Sequence, residues 1–177
     1  MSQPSPPSPA KLVIGIFTPD RDLFEPVAGE LEGRYGPMDI VSRWLPFDCT
    51  DYYTREMGEG LQRRMIAFQN RIPQDLLSDI KLYTNQLEQQ YLADGCRRVN
   101  IDPGYLLLER FVLATGKNFA HRIYIGKHVY ADLTLIYHDN AYRPLPWTYP
   151  DYTRPDMLAF LERVRQKYIY DQKGPNS

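Results

Sequence analysis

Residues 100–139, NIDPGYLLLERFVLATGKNFAHRIYIGKHVYADLTLIYHD, form the longest apolar region of the chain and hold all three of its histidines. How this stretch divides into helices and strands decides the fold. Residues 97–101 read as a strand. Asp102-Pro103-Gly104 reads as a turn whose aspartate caps a helix, with Pro103 at the first helical position. The spacing predicts a helix over 105–115, because only Glu109 and Arg110 interrupt its apolar run. A helix so apolar must be buried on most sides. Residues 121–125 and 128–138 follow as a hairpin about Gly126-Lys127, since a two-residue turn with glycine first is a favoured hairpin type.

That turn sets a register. Ile125 faces His128, Ile123 faces Tyr130, and His121 faces Asp132. Alternation then places His121, Ile123, Tyr130, Asp132, Thr134 and His138 on one side of the ribbon. Val129, Ala131, Leu133, Leu135 and Tyr137 fall on the other, which is the expected core face.

Upstream, residues 1–10 are Pro/Ser-rich and read as a flexible tail. Residues 12–17, LVIGIF, fit a strand buried on both faces. Asp20 or Asp22 caps a helix carrying Phe24, Val27, Leu31 and Tyr35, and Gly36-Pro37 ends it. Residues 39–47 and 61–69 read as strands. Pro73 opens a helix with Leu76, Ile80, Tyr83, Leu87 and Tyr91 as its stripe, closed by Gly95 in the left-handed conformation. The order is β-α-β-β-α-β. The expected class is therefore α+β, a ferredoxin-like core with an added helix, a β-hairpin and a C-terminal helix. Downstream, YRPLPWTYPDY (142–152) reads as an extended aromatic connection, and a last amphipathic helix starts at Thr153-Arg154-Pro155-Asp156. Residues 11–170 are expected to form one α+β domain, with 171–177 a frayed tail.

The bulk composition narrows function by exclusion. The chain has 177 residues, 43% hydrophobic and 24% charged, with a formal net charge of -1. That balance gives no strong nucleic-acid signal. No apolar run reaches the ~18 residues of a membrane span, and the N-terminus has no basic start before an apolar run. Cys49 and Cys96 form no CxxC pair, so a reducing cytoplasm is the expected location. GxxxxGK[ST], GxGxxG after the first strand, GxSxG, HExxH and paired HxT boxes are all missing. No metal set is expected, no cofactor is named by any motif, and oligomeric state is left open.

Three functional readings remain. A His–Asp pair orients an imidazole for proton transfer, which makes His121 and Asp132 the catalytic candidates of an enzyme. A small anionic molecule, phosphate-bearing or a nucleotide, would instead be held by Asp102, Lys117, Arg122, Tyr130 and Thr134, with Tyr52 and Glu56 from the upstream aromatic loop. In the third reading the Tyr/Pro-rich loops form a protein or RNA interaction surface.

TDYYTREMG (50–58), the 99–139 stretch and PLPWTYPDY (144–152) together resemble a bacterial uncharacterised family catalogued as domain of unknown function 4416. The resemblance spans about residues 11–168. Its motif positions here are Tyr52, Tyr53, Glu56, Met57, Gly58, Asp102, Gly104, Tyr105, Lys117, His121, Arg122, Tyr130 and Leu133. It implies no activity. Some members carry a GTP-binding label, yet this chain has neither a phosphate-binding loop nor an NKxD guanine-reading motif.

Overall fold

The computed structural model describes residues 3–48 and 53–174. The chain forms β1 (Ala10–Thr18), α1 (Phe24–Tyr35), β2 (Met38–Val41), β3 (Leu45–Pro46), a helical turn α2 (Thr54–Met57) and β4 (Gln62–Ile72). It continues with α3 (Leu77–Gln90), the two-residue strands β5 (Leu92–Ala93) and β6 (Cys96–Arg97), β7 (Asn100–Leu106) and β8 (Arg110–Thr115). Last come β9 (Arg122–Tyr124), β10 (Tyr130–His138), β11 (Ala141–Pro144) and α4 (Pro155–Lys173). The protein is α+β, built on one large antiparallel sheet in the order β11-β10-β8-β7-β1-β4-β2, with β3 added to β4 and β9 to β10.

Residues 105–115 are not a helix. β7 runs through Leu106, the chain reverses at 107–109, and β8 returns beside it. A continuous apolar run suits a helix buried all round and a pair of strands buried on both faces equally well. Pairing decides here: Asp102, Pro103 and Gly104 lie opposite Gly15, Ile14 and Val13 of β1. Asp102 is therefore a strand residue and caps nothing. Gly104 is required by close approach, because a Cβ there would lie 2.4 Å from the carbonyl oxygen of Val112. Gly95 also has a different role. α3 ends at Gln90, and Asp94-Gly95, both at positive φ, turn the small β5–β6 ribbon.

Alternation along β1 assigns the two faces of the sheet. Leu12, Ile14 and Ile16 point to α1 and α3. On that side Phe24 of α1 lies under Arg64, and Tyr35 meets both Phe68 and Tyr83 of α3. Lys11, Val13, Gly15 and Phe17 point the other way, where Lys11 reaches Asp171 of α4 and Phe111 meets Tyr152. Helices thus cover both faces, and the buried core is continuous through the sheet. α4 starts with Pro155 in its first turn, where a missing N–H leaves no bond unmade.

The β9–β10 hairpin differs from expectation by one residue. Its tight turn is centred on Lys127 and His128, at φ 54° and 60°, with Gly126 before them at 94°. The observed pairs are Tyr124↔Tyr130, Ile123↔Ala131 and Arg122↔Asp132. Three successive left-handed residues absorb the extra position, and a one-residue slip changes every facing pair. A second irregularity lies between Leu133 and Leu135. Leu133 pairs with Val112 but Leu135 with Phe111, so the two leucines point to opposite faces and Thr134 is tucked between them. The expected clean core face of Val129, Ala131, Leu133, Leu135 and Tyr137 is therefore broken at Thr134. The side carrying Asp132 and Thr134 is itself buried.

Candidate functional site

Asp132 is the organising residue at one end of the sheet's α4 side. Its Oδ2 accepts from Arg122 Nε at 2.9 Å and lies 3.2 Å from His121 Nε2. Arg122 is its direct cross-strand partner. His121 precedes β9 in a turn closed by Arg122 N–H donating to Phe119 O, and this turn swings the imidazole back to the same carboxylate. The expected pair therefore exists, although the register that predicted it does not. All three side chains are largely buried.

The surroundings fix the imidazole. Trp147 stacks on it, with centroids 4.9 Å apart and planes 11° apart, and Phe119 approaches its edge at 5.3 Å. Trp147 is itself anchored by Nε1 donating to Leu133 O. In the tautomer that carries its proton on Nε2, His121 donates to Asp132 Oδ2 and Nδ1 keeps the lone pair. Among the described residues Nδ1 has no hydrogen-bond partner. Arg122 is fully engaged: Nε on Asp132, Nη1 on Lys117 O and Nη2 on the Tyr149 hydroxyl.

The other expected residues fall in different places. Thr134 is buried; its Oγ1 donates to the backbone carbonyl of Asp132 at 3.1 Å and lies 3.5 Å from Asp132 Oδ1. Tyr130 is half-buried beside Tyr124. Lys117 sits on the loop before His121, where its backbone N–H bonds Thr115 Oγ1. His138, placed on the polar face by the expected register, is exposed and paired with Asp139 at the far end of β10. Tyr52 lies outside the described residues. Glu56, on α2, grips Arg97 with both oxygens at 2.7 Å, and this hydrogen bonding holds its carboxyl below the usual range.

Asp102 belongs to the same side of the sheet. Gly104 pairs with Leu113 and Leu113 with Asp132, so Asp102 is two strands over and two residues along. Strand spacings put the two Cα atoms about 12 Å apart. Asp102 Oδ1 accepts from Asn100 at 2.9 Å and has Lys81 Nζ at 3.9 Å. Its Oδ2 lies 3.7 Å from Arg63 Nη2. Tyr53 bridges the gap: its hydroxyl is within electrostatic reach of Asp102, Arg63 and Tyr149, and burial, then the Asp102 charge, push its pKa up. It is thus a neutral donor near pH 7.

Arg63, Asp151 and Tyr152 were not among the expected site residues. A signal for Arg63 existed: it stands on the side of its strand shared by Leu61, Met65 and Ala67. Arg97 links this cluster outward to Glu56, Asn100 and Glu88. Burial pushes the Glu88 carboxyl up, although it accepts from Ile101 N–H at 2.7 Å. Among the described residues no three His, Cys, Asp or Glu side chains group to hold a metal ion, and no helix is long and apolar enough to cross a membrane.

The fold and this polar end define an α+β protein whose candidate site is assembled from well-separated segments. The family strings supply the side chains of both polar clusters on this side: Tyr53 from the first, Asp102, His121 and Arg122 from the second, Trp147, Tyr149 and Asp151 from the third. The chain belongs to the family described as Domain of unknown function (DUF4416), whose model matches residues 8–168. No curated protein and no solved structure matches the chain.

Proposed function

We propose that the protein acts on a small polar molecule by proton transfer, with His121 as general acid/base and Asp132 as the residue that positions it. The observation that carries this reading is the shared Asp132 Oδ2, which takes His121 Nε2 on one side and Arg122 Nε on the other. Holding Nε2 leaves Nδ1 as the exchanging nitrogen. Arg122 draws on the same oxygen, so the carboxylate is itself held in place while it orients the ring. The Lys117–Arg122 loop supports anion binding less well, because all three Arg122 nitrogens have acceptors within the protein.

The test starts from thermal-shift screening against nucleosides, nucleotides and sugar phosphates. A stabilising compound is then followed by NMR for turnover. The His121→Gln variant, which keeps a donor toward Asp132, is expected to bind that compound and turn it over roughly 10²–10⁴-fold more slowly. Turnover at the wild-type rate sinks the acid/base role.

A second reading, a protein interaction surface, has its own observation. Among the described residues β9 pairs only with β10, and Phe119, Ile123 and Tyr124 around it are 66%, 71% and 57% exposed. Exposed apolar edge strands mark association sites. Unchanged mass across a concentration series, with no partner retained on the immobilised protein, counts against it.

The β1-α1-β2-β4-α3-β7 portion is further read as a ferredoxin-like core. Its support is the antiparallel order β7-β1-β4-β2 with α1 and α3 on one face. β8, β10 and β11 extend that sheet beyond β7.

A further inference from the structure

Arg63 is only 3% exposed yet carries a charge. Its guanidinium carbon lies 4.6 Å from the ring centre of Phe47, 4.9 Å from Tyr152 and 5.3 Å from Phe17. Nη1 donates to the buried carboxylate of Asp151. Nη2 is 3.7 Å from Asp102 Oδ2, too far for a hydrogen bond. Nε has no hydrogen-bond partner among the described residues, and neither has the hydroxyl of Tyr152, which is 2% exposed.

These facts have a common geometry. In a guanidinium, Nε and Nη2 form one straight edge, and that edge grips the two oxygens of a carboxylate or phosphate in parallel. Asp151 occupies the opposite corner. Nη2, at one end of that edge, lies toward Asp102, whose other oxygen is taken by Asn100 and has Lys81 at 3.9 Å. Asp102 is more exposed than Arg63, Asp151 or Tyr152, which puts it on the outer side of the cluster. Buried polar groups are ordinarily paired, and an unpaired charged donor is expensive. Aromatic faces on several sides keep the guanidinium in place without using its N–H groups.

We infer that the Nε/Nη2 edge of Arg63 is a receptor for an oxyanion, a carboxylate or phosphate group of a bound molecule, with the Tyr152 hydroxyl as an additional donor and Asp102 as a competing charge at the rim. The site lies three or more strands from His121 and does not rest on the acid/base reading. Sequence reasoning placed the anion among Asp102, Lys117, Arg122, Tyr130 and Thr134, with Tyr52 and Glu56. Among the described residues, Arg63 is a buried cation with a donor left unpaired.

The experiment uses the full chain, with inorganic phosphate and acetate as separate probes and sodium chloride at matched ionic strength as the control. Melting temperature is measured against probe concentration. At least one probe is expected to stabilise the protein saturably beyond chloride. A response to phosphate alone identifies a tetrahedral group, and a response to acetate alone a planar one. Asp102→Asn removes the competing charge and is expected to tighten binding about tenfold. Tyr152→Phe removes only an unpaired hydroxyl, so the free protein melts no lower than wild type, while the probe binds several-fold more weakly. No saturable response in wild type and in Asp102→Asn overturns the inference. An equal response in all three proteins overturns it too, since it marks an adventitious ion only.

Discussion

Lys11, wholly buried on β1, donates to Asp171 near the end of α4 at 3.4 Å, across 160 positions of sequence. The same ammonium donates to Asp39, and Lys167 pairs with both aspartates. One buried lysine thus ties the first strand, the β2 edge and the last helix. Lys11→Met removes the charge but leaves the stem's packing. It strands two partly buried carboxylates that keep Lys167, so the expected loss is about 1–3 kcal/mol, below the usual value for a broken buried pair. Urea unfolding measures it, and a loss under about 0.5 kcal/mol, the level of an exposed pair, would contradict the tie.

Gly104 and Gly29 make a matched pair of alanine tests. At Gly104 the new methyl group meets the Val112 carbonyl, and β7 and β8 must separate; a loss of about 2–3 kcal/mol is expected. Gly29 lies within α1 with nothing within 4 Å of its ideal Cβ, so alanine there is expected to stabilise by roughly 0.5–1 kcal/mol. Equal effects of the two changes would refute the packing described for the β7–β8 hairpin.

Glu88 and Glu56 give pH dependences of opposite sign. Burial raises the Glu88 carboxyl in the folded state, only partly offset by the Lys81 charge and the Ile101 N–H. Its contribution is full below the unfolded carboxyl pKa and is lost as pH rises through the raised folded value. Glu56 is lowered, first by its Arg97 hydrogen bond, so its contribution is present above the unfolded value and lost as pH falls through the folded one. Glu88→Gln keeps an acceptor for Ile101 N–H and should flatten the decline in stability on the neutral side of the carboxylate range. Urea midpoints of both proteins between pH 4 and pH 8 check this. Parallel curves would rule Glu88 out as the cause.

Trp147 reports on His121. The imidazole stacked at 4.9 Å and 11° covers one face of the indole. The second tryptophan, Trp44, packs against Phe24 in another layer and supplies a constant background. His121→Ala uncovers that face, so the emission maximum is expected to move to longer wavelength as water reaches it. An unchanged spectrum in that variant would mean that the stack does not form.

The strands at 12–17 and 61–69 were legible because apolar runs of that length, bounded by turn residues, have few other readings. The run at 105–115 was not, because burial on both faces erases the period that separates helix from strand. Only the pairing of Pro103 and Gly104 with β1 resolves it, and that pairing joins residues about ninety positions apart. The closeness of His121 and Asp132 was legible because they lie on one local ribbon. Arg63 and Asp151 meet across 88 positions, a contact that no local pattern encodes. What the sequence did show was a charge on an apolar side of a strand, and that oddity was the site's signature.

Residues 145–154 carry Trp147 and Tyr149 to the His121 end of the sheet, and Asp151 and Tyr152 to the Arg63 end. The two ends therefore share one strap. The same ten residues brace both clusters. A change in the strap, such as Pro150→Gly, is therefore expected to loosen the His121–Trp147 stack and the Arg63–Asp151 pair together.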